Sequence, residues 1–256
     1  MKNNLKPFVT TSALAAIVFF LGITPYGIIP LGFINVTILC IPVIIGTLAV
    51  GLKAGVIIGA CFGFSSTLRA FGIPSPASAL VSNLVAENPI LVILMSVIPR
   101  ILLPFVVFYV NKLLGYHTHG GKNYSVTNLA DSWIFVIASP IIFVALYAFK
   151  LIPFVAVIIC FLCFACFELF FATANSKSRY ILCSAAGSLT NTVFYLGLML
   201  LFYTLCGIDS SAVLALIAGT GVIAGTLEAI AASVLCPPVI AALERAHLTI
   251  VTEKRK

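Results

Sequence analysis

The feature that most constrains this chain is a succession of long apolar runs separated by short polar connections. A membrane-spanning helix needs about 20 predominantly apolar residues, and eight segments roughly meet that length: 8–24, 28–50, 54–73, 90–113, 132–149, 151–174, 180–206 and 211–242. Only 8% of the residues are charged and 62% are hydrophobic, whereas a soluble domain carries about 25% charged residues. A water-soluble fold of 256 residues cannot hide that much apolar surface. We therefore predict an all-α integral membrane protein.

The basic residues predict the orientation of the chain. If the N-terminus is cytoplasmic and eight segments cross the bilayer, the cytoplasmic connections receive nearly all Lys and Arg residues outside the segments, and the outer side receives only Lys150. The positive-inside rule then places both termini in the cytoplasm. The net charge of +7 does not indicate nucleic-acid binding, because the basic residues are scattered between apolar runs and form no basic face.

The cysteines and the known catalytic motifs argue against a disulfide-rich protein and against an enzyme. All 8 cysteines lie within apolar runs, and Cys160, Cys163 and Cys166 have no histidine near them in sequence, so we interpret them as small buried side chains. The chain contains no serine-hydrolase elbow, zinc-protease motif or phosphate-binding loop of an ATPase. We predict no catalytic activity, no cofactor and no metal.

Ionisable side chains inside the apolar runs are the candidate functional residues, because a charge at the bilayer centre costs at least about 2.5–3.5 kcal/mol. They are Arg69, Arg100, Glu168 and Glu228. We expect Arg100, Glu228 and Asn191 to lie at similar depth, where the guanidinium would bind a carboxylate of a small polar or anionic ligand. The alternative is a structural ion pair between Arg100 and Glu228. Glu168 is expected to pair locally.

Small residues recur at helical spacing and predict close helix contacts, which lipid-embedded helices use for association. They are Gly55, Gly59 and Gly63 on the third segment, Gly221 and Gly225 on the last, and Ser12 and Ala16 on the first. Such stripes serve either packing within the chain or docking of another membrane subunit, and the sequence leaves both open.

Several stretches together carry a resemblance to a known family. They are Pro30-Leu-Gly-Phe-Ile-Asn-Val-Thr37 with Ile41-Pro42, Gly51-Leu-Lys-Ala-Gly55, Gly63-Phe-Ser-Ser-Thr-Leu-Arg69, Ile98-Pro99-Arg100 and Gly187-Ser-Leu-Thr-Asn-Thr192. They resemble the substrate-binding S components of energy-coupling factor (ECF) vitamin transporters, and most of all the pantothenate-transporter group. The resemblance covers about 1–115 and 180–245.

The resemblance implies a fold and an assembly. It implies a six-helix S-component core in a single membrane domain over 1–256, with 130–176 as an inserted hydrophobic hairpin that brings the total to about eight transmembrane helices. It also implies a multi-pass protein of a bacterial cell membrane that binds a vitamin-like micronutrient from outside. A transmembrane coupling protein and two ATPase subunits would then drive delivery inward.

The resemblance also implies site residues. Arg100 and Asn191 match positions expected to contact the ligand. Glu228, Arg69, Tyr195 and Asn35 complete the expected substrate-binding set. Ser12 and Ala16 stand where the family has its docking motif on the first helix, and Gly55, Gly59 and Gly63 are a second candidate docking stripe.

The ligand and the class of function keep alternatives at this point. The best expectation for the ligand is pantothenate, because Arg100 suits its carboxylate; riboflavin, folate, cobalamin and a queuosine precursor are the alternatives. Two other functions stay open, a self-contained secondary carrier and an intramembrane enzyme that uses Glu228 as a base.

Overall fold

The computed structural model describes residues 5–30, 35–73, 78–118, 178–217, 222–246 and 248. The helices in these ranges are α1 (Leu5–Ile23), α2 (Cys40–Ala49), α3 (Leu52–Ala70), α4 (Ala79–Glu87), α5 (Pro89–Thr118), α6 (Ser178–Leu205), α7 (Ser211–Leu216) and α8 (Val222–Arg245). A 3-10 turn over Pro25–Gly27 leads into an antiparallel β-hairpin of β1 (Ile28–Pro30) and β2 (Asn35–Thr37). The predicted insertion 130–176, with Glu168 and three of the cysteines, lies outside the described residues.

Four of the described helices are long and apolar enough to cross a bilayer: Leu5–Ile23, Pro89–Lys112, Arg179–Leu205 and Ala224–Arg245. Their outward side chains are apolar, since Phe20 is 63% exposed and Val193 and Val234 are each 64% exposed. Helices that are apolar on all sides are typical of membrane spans. By length and composition the chain is thus a helical membrane protein, as predicted.

One of the predicted spans is wrong in outline. Residues 28–50 do not form one helix, because 28–30 and 35–37 form the paired strands β1 and β2 and α2 has only 10 residues, about 15 Å at 1.5 Å per residue. Pro30 and the β-branched residues around it favour extended backbone over helix. Within the predicted span 211–242 the structure describes α7, which ends at Leu216, and α8, which begins at Val222. The short helix α4 was not predicted.

The long helices alternate in direction. Arg69 near the end of α3 reaches the carbonyl oxygen of Gly22 near the end of α1 at 2.7 Å, so these two helices run parallel. Tyr180 near the start of α6 donates a hydrogen bond of 2.6 Å to Glu244 near the end of α8, so that pair is antiparallel. α5 runs opposite to α3 and α6, as the contacts below show.

The alternation brings basic residues from five helices to one end of the bundle. These residues are Lys6, Lys53, Lys112, Arg179 and Arg245. We call this the basic end and the opposite end, where the β-hairpin lies, the β-hairpin end. The last turn of α5 and the first turn of α6 both lie at the basic end, so the undescribed residues between them join two points on the same side.

The glycine stripe of α3 packs against α5. A Cβ built on Gly59 would lie 2.5 Å from the carbonyl oxygen of Arg100, and one built on Gly55 would lie 2.8 Å from Cβ of Pro104. Pro104 has no N–H for that carbonyl, so the bare backbone of Gly59 approaches an oxygen with no helical donor. Gly63 contacts α5 one turn further along. The stripe packs within the chain, which is one of the two roles that the sequence leaves open; its role in partner docking stays a prediction.

Two apolar clusters fill the described bundle. The first combines α2 with side chains such as Phe62 and Leu103, and it contains Cys40, Cys183 and Cys236 as the small buried residues that the sequence predicts. The second lies toward the β-hairpin end, where α4 and α7 cover α5 and α6. It includes Leu84, Met95, Tyr203 and Val213. The candidate site lies where the two clusters meet.

Candidate functional site

Buried polar side chains from four elements meet between the two apolar clusters. We call this set the polar cluster; its members are Thr37 of β2, Arg100 of α5, Ser188, Asn191, Thr192 and Tyr195 of α6, and Glu228 of α8. A buried polar group costs free energy unless it finds a partner. The pairing of each side chain therefore indicates whether it stabilises the fold or is available to a ligand.

Arg100 owes its local geometry to the proline before it. In an α-helix the carbonyl of Met95 would accept the N–H of residue 99, but residue 99 is proline and has none. The Arg100 side chain turns back toward the start of α5, and its Nη1 donates to the Met95 carbonyl oxygen at 3.1 Å. The Pro99-Arg100 pair thus supplies both the free acceptor and its donor.

The guanidinium of Arg100 lies between two aromatic rings. Its Cζ is 5.1 Å from the ring centroid of Phe62 and 4.6 Å from that of Tyr195. Contacts with the faces of aromatic rings stabilise a cation that has left water. Arg100 is only 8% exposed, and its Nε has no hydrogen-bond partner among the described residues. The positive charge is held in place but its donors are not used up.

One face of α6 carries the polar side chains that this helix contributes to the polar cluster. Ser188, Thr192 and Tyr195 follow one another at spacings of three and four residues, which places them on the same side of a helix. Tyr195 contacts Arg100, and Thr192 donates to Glu228 at 2.9 Å. α6 therefore joins the Arg100 part of the polar cluster to the Glu228 part.

Asn191 also belongs to this face, and its side-chain oxygen has no hydrogen-bond partner among the described residues. It is 6% exposed, and its Oδ1 is buried without a hydrogen-bond partner in the described part of the chain. It lies one turn before Tyr195 on the same side of α6. An unpaired buried amide costs about 1–3 kcal/mol, so an incoming donor would recover free energy here.

Both carboxylate oxygens of Glu228 accept hydrogen bonds from neighbouring donors. Its Oε1 accepts the backbone N–H of Thr37 at 2.9 Å and a short hydrogen bond from the Thr37 hydroxyl, and its Oε2 accepts the Thr192 hydroxyl at 2.9 Å. Within the described residues no ion pair joins it to Arg100, whose hydrogen bond goes to Met95. The structural ion pair that the sequence left open is not formed.

The remaining predicted residues lie elsewhere or face other partners. Arg69 donates through Nη2 to the carbonyl oxygens of Gly22 and Thr24, both at 2.7 Å; a cation is favourable at this C-terminal end of α1. Asn35 is the first residue of β2. Ser12 and Ala16 lie on the exposed face of α1. Their roles in binding or docking stay predictions.

Five contributors to the site were not assigned from the sequence. They are Thr37, Ser188 and Thr192 of the polar cluster, and the two contacts of Arg100, Phe62 and the Met95 carbonyl. Pro99 gave a signal for the last, because a proline frees the carbonyl four residues earlier. Thr192 could have been found from its helical spacing to Tyr195. No local signal places Thr37 beside Glu228, since the contact joins residues 191 positions apart.

The polar cluster presents a cation with an unpartnered N–H and, one helical turn from the Tyr195 ring that stacks on it, an amide oxygen without a partner among the described residues. Such a pair can bind an anionic group through Arg100 and a neutral N–H or O–H donor through Asn191. Glu228 differs from both, because its oxygens already accept three hydrogen bonds.

Comparison with known proteins adds no relative to this picture. No protein-family model matches the chain, and no curated protein sequence matches it significantly.

Proposed function

We propose that this chain is the substrate-binding S component of an ECF-type importer, which binds a small vitamin-like anion and passes it to an ATP-driven partner. The observation that carries the proposal is that two buried side chains of the polar cluster each keep a polar atom without a hydrogen-bond partner among the described residues. Arg100 is 8% exposed with an unpartnered Nε, and Asn191 is 6% exposed with an unpartnered Oδ1. Two buried polar groups without partners are expected where a ligand completes them.

The ligand that fits best carries a carboxylate and a neutral hydrogen-bond donor. A guanidinium recognises a carboxylate through parallel N–H donors, and the Asn191 oxygen would accept an amide N–H or a hydroxyl. Pantothenate has a carboxylate, an amide N–H and hydroxyl groups, so it is our first candidate. Riboflavin, folate, cobalamin and a queuosine precursor are the other ligands to be tested.

The alternation of helix directions supports the six-helix core of the proposal. α1, α3 and α6 run one way and α2, α5 and α8 run the other, with α2 shortened by the β-hairpin. The insertion 130–176 would add two further spans for a total of about eight. With the basic end in the cytoplasm, the β-hairpin end faces outside, from where the ligand enters, and both termini are cytoplasmic in a bacterial cell membrane.

In this proposal the energy for transport comes from the partners. The coupling protein would dock on the exposed face of α1 that carries Ser12 and Ala16, and two ATPase subunits would act through it. Small residues allow a partner helix to approach closely in lipid. The exposed side chains around them on α1 include Phe8 at 69% and Phe20 at 63%.

The rival function as an intramembrane enzyme loses support at Glu228. A general base needs a lone pair aimed at the proton that it removes, and three of the about four acceptor positions of the Glu228 carboxylate already take hydrogen bonds from Thr37 and Thr192. No specific contact favours the secondary carrier, so it enters as an outcome of the experiment below.

Uptake by reconstituted vesicles tests the proposal. The chain is purified with and without a co-expressed ECF coupling protein and its two ATPases, and uptake of labelled pantothenate and the other candidate vitamins is measured. We expect uptake only with the complete complex and only with ATP inside the cytoplasmic compartment. Uptake by the chain alone under an ion gradient would show a secondary carrier, and failure to associate with the coupling module would overturn the assignment.

A further inference from the structure

Glu228 joins three elements that are distant in sequence. Its Oε1 accepts the backbone N–H and the hydroxyl of Thr37 in β2, and its Oε2 accepts the hydroxyl of Thr192 in α6, while Glu228 itself belongs to α8. The side chain is 6% exposed. Hydrogen bonds from the protein replace the water that a carboxyl group loses when it is buried to this degree.

The close approach of α6 and α8 at this point depends on a glycine. A Cβ built on Gly225 would lie 3.0 Å from Cγ2 of Thr192, which is tighter than an ordinary van der Waals contact. Gly225 precedes Glu228 by three residues and therefore lies on the same side of α8. The bare backbone at Gly225 lets Thr192 come within hydrogen-bond distance of the carboxylate.

Thr192 carries this contact to the ligand-facing side of α6. It directly follows Asn191, whose oxygen is unpartnered, and it precedes Tyr195, which stacks on Arg100 at 4.6 Å. The bond from Thr192 to Glu228 therefore contributes to the rotation of α6 that aims Asn191 and Tyr195. The same carboxylate holds the end of β2, from which the chain enters α2.

We propose that Glu228 is a positioning residue that clamps β2 and α6 to α8 and thereby aims Asn191 and Tyr195, and that it does not itself contact the ligand. The sequence placed Glu228 among the ligand-binding residues; its three hydrogen bonds to β2 and α6 assign it this different role. The clamp is a property of the chain without ligand. Its effect on binding rests on the proposed function.

Hydrogen exchange of the Thr37 amide tests the clamp without any ligand. In Glu228→Ala we expect this amide to exchange about tenfold faster, the change that loss of one hydrogen bond to a charged group predicts. Glu228→Gln should restore most of the protection, because its amide oxygen can accept from Thr37 and its amide nitrogen can donate to the Thr192 hydroxyl. Unchanged exchange in Glu228→Ala would overturn the clamp.

Glu244→Ala is the matched control. Glu244 is also a carboxylate of α8 that accepts a hydrogen bond from α6, at 2.6 Å from the Tyr180 hydroxyl, but it lies about 24 Å further along the helix axis. We expect it to leave exchange at Thr37 unchanged. Equal acceleration in Glu244→Ala and Glu228→Ala would show general loosening of the bundle and would also overturn the clamp.

Pantothenate binding separates positioning from direct ligand contact. For a positioning residue, Thr192→Val and Glu228→Ala should weaken binding together but not additively, so that the double variant is no weaker than Glu228→Ala alone. A ligand contact predicts instead a full effect of Glu228→Ala in the Thr192→Val background. If the wild-type chain binds no pantothenate, that ligand is wrong, and the exchange measurement still decides the clamp. Thr192→Val also gives a milder variant if Glu228→Ala does not fold.

Discussion

Arg100 and Asn191 are the central candidate residues because each has a buried polar atom without a hydrogen-bond partner among the described residues. Each is more than nine-tenths buried, and each keeps one polar atom without a partner. A residue that only stabilised the bundle would be expected to have its polar atoms paired, because leaving them unpaired is costly. A structural residue and a ligand-binding residue can therefore be distinguished by comparing the effect of a substitution on stability with its effect on ligand affinity.

Asn191→Leu is the sharpest variant of this kind. Leucine has similar volume and removes an unpaired buried amide, so we expect the free energy of unfolding to stay equal or to rise by about 1 kcal/mol. Ligand affinity should fall at least about tenfold, since the acceptor for the ligand's donor is lost. Thermal unfolding and equilibrium binding of the same preparations check both. Loss of stability without loss of affinity would contradict the assignment.

Tyr195 contributes its ring, and its hydroxyl makes no hydrogen bond with the described residues. The ring lies 4.6 Å from the Arg100 guanidinium. Tyr195→Phe keeps that contact and should leave the unfolding midpoint within experimental error. Tyr195→Ala should destabilise the protein by about 3 kcal/mol, from lost packing and the lost cation–π contact. Thermal unfolding in detergent measures both, and an equal effect of the two variants would refute the role of the ring.

At the scale of helices, α3 and α5 pack through a backbone contact. Gly59→Ala would place a Cβ 2.5 Å from the Arg100 carbonyl oxygen, which cannot move without shifting α5. We expect a loss of about 1–3 kcal/mol in stability, as for other overpacked sites. Gly197→Ala is the control, because nothing lies within 4 Å of its Cβ, and it should be neutral or slightly stabilising. Chemical unfolding of both variants checks this, and equal stability would contradict the close packing.

The exposed face of α1 makes a separate prediction about partners. Ala16→Leu enlarges a small exposed residue in the proposed docking face, and it should reduce co-purification of the coupling protein at least about fivefold, because a close helix contact is blocked. Ligand binding should be unchanged. Ala60→Leu on the exposed face of α3 is the matched control and should have no effect. Equal loss in both variants, or in neither, would remove this face from the docking proposal.

The helices themselves were predictable where a single physical rule decides. Apolar length found α1, α5 and α6 to within a few residues, because lipid requires about 20 apolar residues for a span. The same rule failed at 28–50, where Pro30 and β-branched residues favour the β-hairpin and hydropathy does not report it.

The candidate site was predictable in part for a similar reason. The cost of a buried charge singled out Arg100 and Glu228 from the sequence alone, because both interrupt long apolar runs. Their partners could not be found that way, because the Thr37–Glu228 contact is long-range in sequence. The absence of an ion pair between Arg100 and Glu228 likewise depends on the packing of β2 and α6.

At the scale of the whole molecule, the two ends of the described bundle differ, and the polar cluster lies between them. One end carries basic residues of five helices, the other carries the β-hairpin with α4 and α7, and the polar cluster lies between two apolar clusters. Such an arrangement suits a protein that receives a ligand from one side of a membrane and meets its energy source on the other. Ligand binding is therefore the property on which the account depends.

Equilibrium binding of B vitamins to the purified chain tests that property most directly. We predict that one of them, pantothenate first, binds with nanomolar affinity to the wild type, and that Arg100→Ala weakens it by at least about 2 kcal/mol, or about thirtyfold. Arg179→Ala, which removes another arginine stacked on a tyrosine at 5.0 Å, should bind as wild type. Binding of no vitamin, or equal binding by wild type and Arg100→Ala, would contradict the account.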